Sequence, residues 1–181
     1  MNLPNKLTVM RVLLIPFFVL FELVDFNGYG NYLALAVFVV ASLTDAFDGH
    51  IARKYNLVTN FGKLMDPLAD KLLVCTAMLC LMEKDMLPVL VVIIIIAREF
   101  TISAFRLIAA NNNVVIAAGI WGKLKTISQM IMIIWLLLEV DRYFEQARYL
   151  SYALIGIATA LTVISLIDYL YKNKDVLKDQ N

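Results

Sequence analysis

Six mainly apolar runs, each close to the length of a membrane-crossing helix and separated by short polar stretches, dominate this chain. They fall at about 7–24, 32–48, 63–82, 87–109, 120–140 and 148–171, the fourth containing VLVVIIII. A helix rises 1.5 Å per residue, so crossing the hydrocarbon of a bilayer takes roughly 20 such residues. The pattern predicts an all-α, polytopic membrane protein with six transmembrane helices. Pro16, inside the first run, predicts a kink there. Composition points the same way: 61% of the 181 residues are hydrophobic and 17% charged, against roughly 45–50% and 25% in globular proteins. A soluble domain of this size could not hide that much apolar surface, whereas lipid can cover it.

The chain reads as a single domain over 1–181, with a short polar segment at 1–6 and a charged tail at 172–181. The opening MNLPNKLTVMR is polar and the apolar run after it has no small-residue cleavage site, so it is expected to be retained. Cys75 and Cys80 lack a second Cys or a His at ligand spacing and are read as packing residues. A net charge of +1 provides no basic field for nucleic acid, and no such partner is expected.

Six spans place both termini on one side. That side, with the 2–3 and 4–5 connections and the adjoining helix ends, carries all but three of the 16 Lys and Arg residues; Lys84, Arg142 and Arg148 lie opposite. Cytoplasmic loops concentrate Lys and Arg, so the first side is assigned to the cytoplasm.

Charges within membrane helices are costly and usually functional, and this chain gathers them at the cytoplasmic ends of helices two and three. The segment TDAFDGHIARKYNLVTNFGKLMDPLADK holds Asp45, Asp48, Asp66 and Asp70. Residues three or four apart share a helix face, so each pair faces one way, and two antiparallel helices can turn the pairs toward each other. Four converging carboxylates need compensation, by protons or by divalent cations. Oxygen ligands without Cys or His favour Mg2+ or Mn2+, and four carboxylates can hold two such ions. A paired-metal centre suits phosphoryl transfer. Gly49, Ala52 and Gly62 leave room for a ligand, Arg53 and Lys63 offer cations to phosphate, and Thr59 offers a hydroxyl. Pro67 suits the first turn of a helix, which makes a break near Asp66 an expectation.

Together these residues read D-x2-D-G-x2-A-R-x8-G-x3-D-x3-D, and the chain resembles the CDP-alcohol phosphatidyltransferase family at every fixed position from Asp45 to Asp70. NLPNKLTVMR, FGKLMDPLADK, REF at Arg98–Phe100 and GKLKTISQ at Gly122–Gln129 are similar to family members that use a glycerol phosphate acceptor. The resemblance implies a six-helix homodimer in the plasma membrane with its site open to the cytoplasm. It implies metal binding by Asp45, Asp48, Asp66 and Asp70, with Asp70 also the general base. It implies contacts to the cytidine diphosphate part from Gly49, Arg53 and Thr59, together with Asn5 and Thr8. The reaction expected is transfer of a phosphatidyl group from CDP-diacylglycerol to sn-glycerol 3-phosphate.

A charged acceptor needs cations of its own, and Arg98, Arg106, Lys123 and Lys125 at the cytoplasmic ends of helices four and five are the candidates. The alternatives are the same chemistry with inositol phosphate, serine or phosphatidylglycerol as acceptor, a divalent-ion transporter, or a nonenzymatic scaffold. The cations disfavour serine and free inositol. Clustering of the acids at one membrane face argues against a transporter, and a scaffold leaves the Asp–Gly–Arg spacing unexplained. Glu99 is read as an ion partner of Arg98, Glu22 as a residue seeking an interior partner, and His50 as a helix-end residue and not a ligand. Trp121 is read as an interface anchor and Trp135 as packing.

Overall fold

A computed structural model describes residues 3–24, 26–54, 60–111 and 119–173. Of 3, 4, 45–54, 60, 61, 63, 64, 110 and 111 it describes only the backbone. The described residues form six α-helices and no strand: α1 (Leu3–Leu23), α2 (Gly30–Lys54), α3 (Asn60–Glu83), α4 (Val89–Asn111), α5 (Ile120–Leu137) and α6 (Ala147–Lys172), with a 3-10 turn at Val140–Arg142. Each of the six apolar runs lies on its own helix. The helices overrun the apolar runs where polar sequence carries no breaker, so α2 continues through the acidic segment to Lys54 and α3 starts at Asn60. The break expected near Asp66 does not occur, since α3 passes through Pro67 as one helix; α1 also continues through Pro16, as a kinked helix does. Neighbouring helices in a membrane protein re-satisfy the backbone group a proline frees.

The chain divides into two compact units. Unit 1 is Met1–Met86 with Leu137–Glu139, and unit 2 is Leu87–Leu136 with Val140–Asn181. In unit 1, α1 packs on α2 and α3, and α2 on α3. The buried stripe of α1 is Asn5, Thr8, Arg11, Ile15, Phe18 and Glu22, at helical spacing, whereas Met10, Leu13, Phe17 and Leu20 are exposed. Small residues let the helices approach: Ala34 and Ala41 flank Phe38 on α2, and Ala69 and Ala77 flank Leu73 on α3, all buried. Phe18 meets Phe38 with ring centroids 6.0 Å apart. In unit 2, α4 packs on α6. The inner stripe of α6 is Ser151, Ile155, Ala158, Thr162, Ser165 and Tyr169. Trp135, read as packing, also donates its Nε1–H to Ser151 Oγ at 2.9 Å.

Among the described residues, α6 alone is both long and apolar enough to cross a membrane by length and composition, and the apolar part of α2 is the shorter Gly30–Thr44. Together with the apolar composition, this supports a membrane location.

Glu22 finds its interior partner in Lys84, at 2.8 Å, and Lys84 also reaches Glu139 at 2.9 Å. The Glu22 carboxylate is wholly buried, and Glu139 holds a positive φ of 48° just past α5. Burial pulls the Lys84 pKa down, but the hydrogen bonds and charges of Glu22 and Glu139 outweigh it and hold the pKa above the ordinary 10.5. Its contribution is therefore full below 10.5 and is lost only as pH rises through the higher folded-state value. Lys84→Met leaves Glu22 buried without its counter-charge. Breaking a buried pair from one side costs about 3 kcal/mol. The thermal midpoint in detergent should fall by several degrees, and Glu22→Gln in the same chain should restore part of the loss. An unchanged midpoint for Lys84→Met would show that the ion pair does not stabilise the unit.

Candidate active site

Two packed helices joined by five residues run antiparallel, which sets the depth of the acidic residues. Asp48 lies six residues before the end of α2, and Asp66 six residues after the start of α3. Asp45 and Asp70 lie nine and ten residues from the same helix ends. At 1.5 Å per residue, both pairs stand at matching heights along the hairpin. The side chains of Asp45 and Asp48 lie outside the described residues, as do those of Gly49, Ala52, Arg53, Lys63 and His50; Thr59 lies outside them altogether.

Asp66 and Asp70 are half-buried on α3. Fully buried Thr8 of α1 donates its hydroxyl to Asp66 Oδ1. A hydrogen bond of this kind orients a metal-binding carboxylate from behind. Asn5, one turn before Thr8, is buried as well, and so is Gly62. Oxygen ligands oriented in this way fit a hard divalent ion. Among the side chains described, no group of three metal-ligating residues comes together.

Arg11 was counted among the cytoplasmic topology signals, but it faces inward. Its side chain is fully buried and its Nε donates to the carbonyl of Ala41 on α2, at 3.2 Å. Thr44 donates to the same carbonyl at 2.7 Å. Position in the heptad-like stripe of α1, three residues after Thr8 and four before Ile15, was the signal that could have placed Arg11 inside.

In unit 2, two of the four acceptor candidates come together. Glu99 Oε1 accepts from Arg98 Nη1 at 3.0 Å and from Lys125 Nζ. Arg98 and Lys125 are buried, and Arg98 Nη2 also donates to Ser165 Oγ at 2.5 Å. Arg98 Nε is buried without a hydrogen-bond partner. The expected Arg98–Glu99 pairing is therefore present, with Lys125 added. Arg106 stands apart from this group, over the Tyr169 ring at 5.9 Å, and Lys123 is exposed. Ser165 and Tyr169 were not anticipated, because α6 reads in sequence as general apolar character.

Known proteins match over nearly the whole chain. A Bacillus subtilis (strain 168) protein named CDP-diacylglycerol–glycerol-3-phosphate 3-phosphatidyltransferase is 42% identical over 193 aligned residues, covering 99% of each chain. Its namesake in Rickettsia typhi is 46% identical over 129 residues, 71% of this chain and 72% of its own. The namesake in Escherichia coli (strain K12) is 38% identical over 183 residues, 99% of this chain and 98% of its own. Residues 1–164 match the CDP-alcohol phosphatidyltransferase family across the acidic hairpin and most of both units, and the chain belongs to that family.

Proposed function

We propose that this chain transfers the phosphatidyl group of CDP-diacylglycerol to sn-glycerol 3-phosphate, releasing CMP. The observation that carries the reading is the end-to-end match to the Bacillus subtilis enzyme of that name. The gathering of Arg98 and Lys125 about Glu99 supports it, because a phosphorylated alcohol needs buried or half-buried cations and a neutral one does not.

In this reading Asp45, Asp48, Asp66 and Asp70 hold divalent ions, two per site and Mg2+ or Mn2+ by ligand chemistry. Bound there, the ions would neutralise the diphosphate and the leaving CMP. Asn5, Thr8, Gly49, Ala52, Arg53, Thr59, Gly62 and Lys63 surround the cytidine diphosphate part. Asp70 takes the proton from the free hydroxyl of glycerol 3-phosphate. That oxygen attacks the β-phosphorus and the bond to the CMP oxygen breaks. Arg98, Arg106, Lys123 and Lys125 take the acceptor's phosphate.

The chain acts as one domain with six spans, as a homodimer in the plasma membrane, its site open to the cytoplasm. Helices of 18 to 26 residues are about 27–39 Å long, and all but the 18-residue α5 reach the ~30 Å of a hydrocarbon core. Polar residues on the inner face and Leu, Ile, Val or Phe on the outer face support lipid on the outside of α1, α4 and α6. Tyr29, before α2, and Tyr143, Phe144, Tyr149 and Tyr152, around the start of α6, are exposed, as interfacial aromatics are.

The test is CMP release by the detergent-extracted chain with CDP-diacylglycerol and Mg2+, comparing acceptors. Glycerol 3-phosphate should support turnover far above serine or inositol phosphate. Equal or greater turnover with either of those would reassign the acceptor, and no CMP with any of them would reject the transferase reading.

A further inference from the structure

We infer that Ser165 and Glu99 are positioning residues that hold Arg98 and Lys125 as a preset receptor for the acceptor's phosphate. The inference rests on the acceptor reading above and assigns the role to two side chains that would not themselves touch the substrate.

The geometry is that of a clamped fork. One prong of the Arg98 guanidinium, Nη1, is held by Glu99 at 3.0 Å, and the other, Nη2, by Ser165 at 2.5 Å. With both prongs fixed, the plane of the group is fixed. The same Glu99 oxygen takes the Lys125 ammonium, so one atom sets the spacing between the two cations. Three helices converge on this arrangement: α4 supplies Arg98 and Glu99, α5 Lys125 and α6 Ser165. Arg98, Lys125 and Ser165 are each at least nine-tenths buried, so the geometry is held within the protein and not by water. Gly122 lies beside the fork, where a methyl group would stand in ordinary contact 3.7 Å from Arg98 Nη2 and 3.9 Å from Ser165 Oγ. Arg98 Nε, buried and unpartnered, is the donor left for an incoming oxygen. A cation already oriented binds phosphate without the entropy loss of ordering a long side chain.

Steady-state kinetics on the full-length, detergent-extracted chain test this. Ser165→Ala should raise KM for glycerol 3-phosphate about tenfold, with KM for CDP-diacylglycerol within about twofold, and Ser165→Thr should recover most of the loss. Glu99→Gln, which keeps the shape and removes the charge, should show the same split. Acceptor KM unchanged in both variants overturns the inference. So does a parallel rise in both substrates' KM, which marks a general loss of structure. If the unaltered chain turns over no glycerol phosphate, the functional reading fails and this one with it. If it does and the variants behave as the unaltered chain, only this inference fails.

Discussion

Asp70→Asn should reduce CMP release by at least about 10³-fold while CDP-diacylglycerol still binds. A positioned general base contributes roughly 10²–10⁴-fold. The amide has the shape of the carboxylate but accepts no proton at neutral pH, and it is a weaker ligand for a hard cation. Asp70 lies one turn beyond Asp66 on α3, and it is Asp66 that accepts the Thr8 hydroxyl. The substitution does not touch that α1–α3 hydrogen bond, and a thermal midpoint measured alongside separates loss of chemistry from loss of fold. Two measurements separate the roles: turnover from CMP release, and donor affinity from displacement of a fluorescent CDP-diacylglycerol analogue. Activity within tenfold of the unaltered chain would remove Asp70 as the base. Loss of donor binding together with turnover would make it a metal ligand alone.

Arg98→Lys should raise KM for glycerol 3-phosphate by one to two orders of magnitude and leave KM for the donor nearly unchanged. The charge survives, so long-range attraction survives, but the planar fork does not. Lysine cannot reach Glu99 and Ser165 in the geometry by which Nη1 and Nη2 meet them at 3.0 and 2.5 Å. Each charge-assisted hydrogen bond lost is worth about 1.5–3 kcal/mol, a factor of roughly 10 to 150 in affinity. A loss confined to the acceptor points to phosphate recognition. Equal losses for both substrates would remove Arg98 from that pocket and leave it as a strut joining α4 to α6.

The helices were legible because each needs a long apolar run, and a long run is hard to mistake. Their ends were less so. Hydropathy marks where lipid could begin, not where hydrogen bonding stops, so α2 continues for six residues past its apolar run to Lys54. The acidic motif was legible because its spacing repeats the helix period on two adjacent helices. Pairings across helices were harder. Nothing local in the sequence around Ser165 says that it meets Arg98, 67 residues away. Arg11 was misjudged because a cation near the start of a membrane helix has two explanations, and only the packing of α1 on α2 separates them. Glu22 and Glu99 were read correctly as seeking partners, since a buried carboxylate must be paired, although Lys84 as the partner of Glu22 was not foreseen.

The guanidinium on α1 that bonds a carbonyl of α2 bears on biogenesis. In the six-span reading, a lone first helix leaving the translocon would carry that group toward hydrocarbon at a penalty of up to about 2.5–3.5 kcal/mol, the value at mid-depth. Delivered as a hairpin with the second helix, it arrives already bonded. In the six-span reading proposed above, the first two segments therefore enter lipid at less cost as a pair than one at a time.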